Sequence, residues 1–186
     1  MQILSIFKLN HTYKLIYYSI CMEMPQYPNP SHEFKDDLLN HFDYARNYVI
    51  HKVEGTSFES GTKKLGHTET SIFGIVKHLM YADQYWIKSI YNGEDVHEPW
   101  TEDNPDADYM IASHESAETL LADYKKIIDE TNLILKNNEL NSLAQSKREN
   151  GTHPTLYWII LHLIDHTASH NGQLEIYKEI IDKKTY

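Results

Sequence analysis

The chain has 186 residues, 41% hydrophobic and 24% charged, which suits one buried core and at most one domain with an appendage. Seventeen basic residues face 27 acidic ones for a net charge of −10, and Arg46 and Arg148 are the only arginines. Nucleic acid is a poor partner for such a surface, because phosphates are neutralised by clustered Lys and Arg; a small, neutral or cationic molecule is the expected partner. Cys21 is the one cysteine, so neither an intrachain disulfide nor a Cys-rich zinc site can form, and a reducing, cytoplasmic setting is expected.

Lys8, Asn10, His11 and Lys14 interrupt the first 24 residues, leaving no run long enough for a membrane span. Leu15 to Met22 is short, and no small-residue cleavage site follows it. Residues 1–24 read as an N-terminal extension outside the core, with an added helix or a weak leader as alternatives, and residues 25–186 as the domain. Pro25, Pro28 and Pro30 end the extension.

The spacing then predicts four helices. The first runs from about Ser31, a candidate N-cap, to Val53, with Phe34, Leu38, Phe42, Ala45 and Val49 three or four apart, and stops at Gly55. The second starts near Thr70 or Ser71, places Ile72, Ile75, Val76, Leu79, Trp86 and Ile90 on one stripe, and stops at Asn92-Gly93. A long connection follows, carrying seven acids between Glu94 and Asp108; it reads as a solvated crossover or, with Trp100, as a lid over a site. The third helix is expected from Ser113 and buries Leu120, Tyr124, Ile127, Ile128 and Leu135. The fourth opens around Thr152 to Pro154 and runs through Leu156, Ile159, Ile160, Leu163, Leu174 and Ile181. No segment alternates as a strand does, so the expected class is all-α: a four-helix bundle with long connections and a single core.

Twelve histidines are many for this length. The fourth helix reads HLIDHTASHNGQ, with His162, His166 and His170 four apart, a spacing that lets neighbours share a metal ion. At about 100° per residue, His170 lies about 40° from the stripe centre, His166 about 80° and His162 about 120°, so only the later pair faces inward. Buried imidazoles need partners for their nitrogens, and a metal would supply one. A third ligand must come from another helix, and His78 in GIVKHLMYADQYW, at the border of the second stripe, is the candidate. Asp83, Asp165 and Gln173 are candidates to receive the histidines' other N–H groups. His114-Glu115 begins an H-E-x-x-H, but Glu118 occupies the last position, and no phosphate-cradling glycine loop is present.

GIVKHLMYADQYW and HLIDHTASHNGQL resemble the two signature helices of the DinB/YfiT-like metal-dependent family, with His78, Trp86, His166, His170 and Gly172-Gln173 at the motif positions and the likeness running from about Ser31 to Ile181. The resemblance implies a four-helix bundle with a three-histidine metal site. It also implies activities that include transfer of a low-molecular-weight thiol, and homodimerisation is common in the family. Three imidazoles with an open position suit zinc, with nickel, copper or cobalt also held by such nitrogens, and serve either thiol transfer or hydrolysis. The other class is a non-catalytic bundle whose metal is structural or adventitious and whose role is binding or assembly.

Overall fold

A computed structural model of the chain describes residues 24–65, 70–148 and 150–183. The extension expected over residues 1–24, with Cys21, falls outside these apart from Met24. Four long helices make the bundle: α1 (Phe34–Val53), α2 (Ile72–Asp83), α3 (Ala117–Asn137) and α4 (Leu156–Lys183). A π-helical segment, Gln84–Tyr91, continues α2. A single helical turn, Phe58–Gly61, and a 3₁₀ turn, Ala107–Tyr109, lie in the connections. Among the described residues there is no strand, only two isolated bridges.

The helix starts differ from expectation for local reasons. Ser31 cannot cap α1, because His32 has φ +69° and the Ser31 N–H donates to Asp37 Oδ1 at 2.6 Å, so the helix opens at Phe34. α3 opens at Ala117 rather than near Ser113. Ser116 and Thr119 form the capping box there, while the preceding Ala112 N–H is held by Glu115 Oε2 at 2.6 Å in a turn. Ser71 caps α2, its hydroxyl accepting from the Gly74 N–H at 3.1 Å.

Side-chain pairs give the helix directions. Lys35 reaches the Lys136 and Asn138 carbonyls and Lys125 reaches Glu54, so α1 and α3 are antiparallel. Phe34 meets Tyr157 at one end of α1 and Lys178 donates to Thr56 at the other, so α1 and α4 are parallel. Lys77 pairs with Glu115 and Lys88 with Glu130, which makes α2 and α3 parallel, while Trp86 against Trp158 and His78 against His170 make α2 and α4 antiparallel. Two consecutive parallel helices cannot be joined by a tight turn. The chain between Asn92 and Ser116 must therefore travel back along the bundle, and its return path lies against α2.

The core is not single. Leu38, Phe42, Ile87, Leu135, Ile159 and Leu163 belong to one apolar cluster; Val49, Ile72, Ile75, Leu79, Tyr124 and Leu174 belong to another. Each helix breaks its apolar stripe between the two: Arg46 in α1, Asp83 at the end of α2, Thr131 in α3 and Thr167 in α4 are all buried. Arg46 donates to Asp43 at 2.6 Å, Asp83 at 3.3 Å and Thr131 at 3.1 Å, forming a polar layer across the bundle. Buried charges persist only when paired in this way.

Candidate metal centre

At this level α2 and α4 bring three imidazoles together. His78 comes from α2, one turn after Gly74; His166 and His170 lie on successive turns of α4. His166 Nε2 lies 3.0 Å from His78 Nε2 and 3.2 Å from His170 Nε2. The ligand atoms of the three all fall within 4.8 Å of one another. His162, one turn earlier, is outside this group and stacks instead on Trp158 at 5.3 Å and 11°. The angular register read from α4 sets it farthest of the three from the stripe centre, yet it lies half-buried in the α2–α4 seam, edge-on to Trp86 at 4.8 Å.

The outer nitrogens explain the tautomers. His78 Nδ1–H donates to Asp108 Oδ2 at 2.7 Å, and His170 Nδ1–H donates to Gln173 Oε1 at 2.8 Å. Both Nε2 atoms are then lone pairs, and both point at His166 Nε2. A single N–H on His166 could satisfy only one of them, and His166 Nδ1 is itself buried without a partner. As a hydrogen-bonded cluster the three Nε2 atoms are frustrated; around a cation all three lone pairs would be satisfied, and the His166 Nδ1–H would be the one outer nitrogen of the three without a partner. The two separations are within a few tenths of an ångström of the ~3.4 Å edge of a tetrahedron with ~2.1 Å Zn–N bonds. Burial, then the neighbouring His78 and His170, pushes His166 down to about 3, and burial, then His78, lowers His170, so both are neutral ligands at neutral pH.

The crossover supplies the remaining wall. Tyr109 stacks on His78 at 4.2 Å and 12°, next to Asp108, which is buried although the chain from Thr101 to Asp106 is exposed. The connection is thus a solvated crossover over one stretch and part of the site over the next. Its approach depends on Gly74, where a Cβ would stand 2.8 Å from the Tyr109 carbonyl oxygen. Lys77 fastens the same segment, donating to the Met110 carbonyl at 2.7 Å and pairing with Glu115 at 2.8 Å. Burial and the charge of Asp108 raise the Tyr109 phenol well above its ordinary value, so it stays protonated.

Of the three residues expected to receive imidazole N–H groups, only Gln173 does so. Asp83 is buried but pairs with Arg46, and Asp165 is exposed on α4. Asp108 fills the role expected of an acid and was not distinguishable from its six acidic neighbours in the connection. Its contact with His78 spans 30 residues, and no local spacing encodes that.

An all-α bundle with a three-histidine cluster between its second and fourth helices is the DinB/YfiT-like class. Within it, the chain belongs to the mycothiol-S-transferase family, whose model matches residues 37–183. The crystal structure of a conserved protein from Enterococcus faecalis has the same fold, with a TM-score of 0.59 at 12% identity over 81% of this chain and 98% of that one. No curated protein matches the chain in sequence. No helix of the described residues is long and apolar enough to cross a membrane.

Proposed function

We propose that the chain is a metal-dependent thiol S-transferase and that His78, His166 and His170 hold one divalent cation, zinc by the character of the donors. The observation that carries this reading is the convergence of three Nε2 atoms while Asp108 and Gln173 hold two of the opposite nitrogens. Membership of a family described by thiol transfer supports the reaction type.

A divalent cation held by neutral imidazoles lowers the pKa of a thiol or water that reaches it. In the transfer, the thiol sulfur attacks an electrophilic carbon: the S–C bond forms, the bond from carbon to its leaving group breaks with the electron pair departing on that group, and the thiol proton passes to solvent. Asp108 keeps the His78 ring turned with Nε2 inward and offsets positive charge. Gln173 does the same for His170 without charge, and Tyr109 covers one face of His78.

The test is metal content and turnover in protein made without a histidine tag. Stoichiometric metal is expected in the wild type and in His162→Ala, and loss of metal is expected in each of His78→Ala, His166→Ala and His170→Ala. Metal-loaded protein is expected to couple a low-molecular-weight thiol to a chromogenic electrophile. Ester or amide turnover without thiol would replace transfer with hydrolysis. Metal lost on dialysis with no turnover of any substrate would leave a non-catalytic bundle.

A further inference from the structure

A track of aromatic rings leads away from the histidine cluster along the seam between α2 and α4. On α4 the i, i+4 spacing that aligns the histidines continues toward the helix start: His162 lies 6.0 Å from His166 at 6°, and Trp158 lies 5.3 Å from His162 at 11°. Across the seam, Trp86 of the π-helical segment meets His162 edge-on at 4.8 Å and Trp158 at 5.5 Å. Trp86 and Trp158 pack partly on the apolar cluster beneath, and both remain half-buried.

Arg148 stands at the far end of the track, with its guanidinium carbon 4.2 Å from the Trp158 ring centroid. A turn holds its backbone, the Arg148 N–H donating to the Thr152 carbonyl at 2.9 Å and the Gly151 N–H to the Arg148 carbonyl at 2.8 Å. The other arginine, Arg46, is buried and shared by Asp43 and Asp83, whereas Arg148 has no ion pair with a described residue. A guanidinium stacked on a ring keeps its in-plane N–H fork free for a carboxylate-like anion. In a chain of net charge −10, which repels anions at long range, this is a local exception.

We infer that this seam is the acceptor site: a flat, apolar electrophile lies along Trp86 and Trp158 with its reactive carbon toward the histidines, and its anionic substituent pairs with Arg148. The inference rests on the thiol-transfer reading for its chemistry but not for its binding. Trp158 and His166 are eight residues apart, about 12 Å along the helix, with the His162 ring filling the interval between them, so the acceptor would lie over these rings and not between them.

The probes are 4-chloro-3,5-dinitrobenzoate and its neutral methyl ester, offered with one thiol to metal-loaded protein, and the unreactive 3,5-dinitrobenzoate, titrated into metal-free protein while tryptophan fluorescence is followed. The expected result is a preference for the carboxylate over the ester of about tenfold in kcat/KM, abolished in Arg148→Gln and kept in the control Lys147→Gln. Quenching by dinitrobenzoate should saturate and weaken about tenfold in Arg148→Gln. Saturable, Arg148-dependent quenching without turnover would keep the site and reject thiol transfer. Turnover and quenching both indifferent to Arg148 would overturn the site and leave transfer standing. A rise in KM for the thiol rather than the acceptor in Arg148→Gln would assign the anion to the thiol and overturn the inference, as would a seam covered by a second copy of the chain, read as quenching that is lost when the protein dimerises.

Discussion

Replacing Asp108 by Asn separates the part this side chain plays in the metal centre from any part it plays in the fold. Its buried carboxylate accepts from His78 Nδ1 at 2.7 Å, the distance of a charge-assisted hydrogen bond. Asn has nearly the same volume and can still accept that N–H, but it carries no charge to offset a cation at the cluster. Losing such an outer partner costs about 10- to 100-fold in metal affinity, or about 1.4–2.7 kcal/mol. In the metal-free protein the same charge is buried beside a histidine and costs desolvation, so removing it should change stability by less than about 1 kcal/mol. The expected pattern is therefore split: urea unfolding of the metal-free variant matches wild type, while at saturating zinc the variant loses about 1.4–2.7 kcal/mol of the stabilisation that binding confers. Zinc affinity from competition with a chromophoric chelator reads the same quantity directly. Equal destabilisation with and without zinc, at unchanged zinc affinity, would mean that Asp108 only anchors the crossover and would refute this account.

Gly74→Ala should push the Tyr109 carbonyl away from α2, since the new Cβ would stand 2.8 Å from it; weakened zinc binding with retained helicity by circular dichroism is the expected outcome. Arg46→Met should cost about 3–5 kcal/mol in urea unfolding because it strands the buried Asp83 carboxylate, whereas Asp83→Asn, which leaves Arg46 paired with Asp43, should stay within about 1 kcal/mol of wild type. Burial raises the Asp83 carboxyl from its ordinary 3.8 to about 6, so the folded state takes up a proton first, and wild-type stability relative to Asp83→Asn should rise as the pH falls through about 6 toward 4. His166 acts in the opposite sense. Held neutral down to about 3 instead of 6.5, it contributes stability that is complete above 6.5 and is lost as the pH falls, so metal-free wild type should lose stability with acid more steeply than His166→Asn.

Periodicity in the sequence determined the four apolar stripes, the class of fold and the register of α4 that separates His166 and His170 from His162, because each depends on residues within a turn or two of one another. Gln173 was legible for the same reason, being three residues from the histidine it receives. Tertiary structure decided what depends on distant parts of the chain meeting. The parallel course of α2 and α3 sends the crossover back along the bundle, and this alone selects Asp108 and Tyr109 from an acidic connection and sets them against His78. Arg46 sits within the α1 stripe as a lone charge among apolar residues; only its partners on α2 and α3 show it to be part of a layer that divides the expected single core in two. Helical spacing specifies which face a side chain presents, while the identity of its partner depends on how the helices are arranged around it.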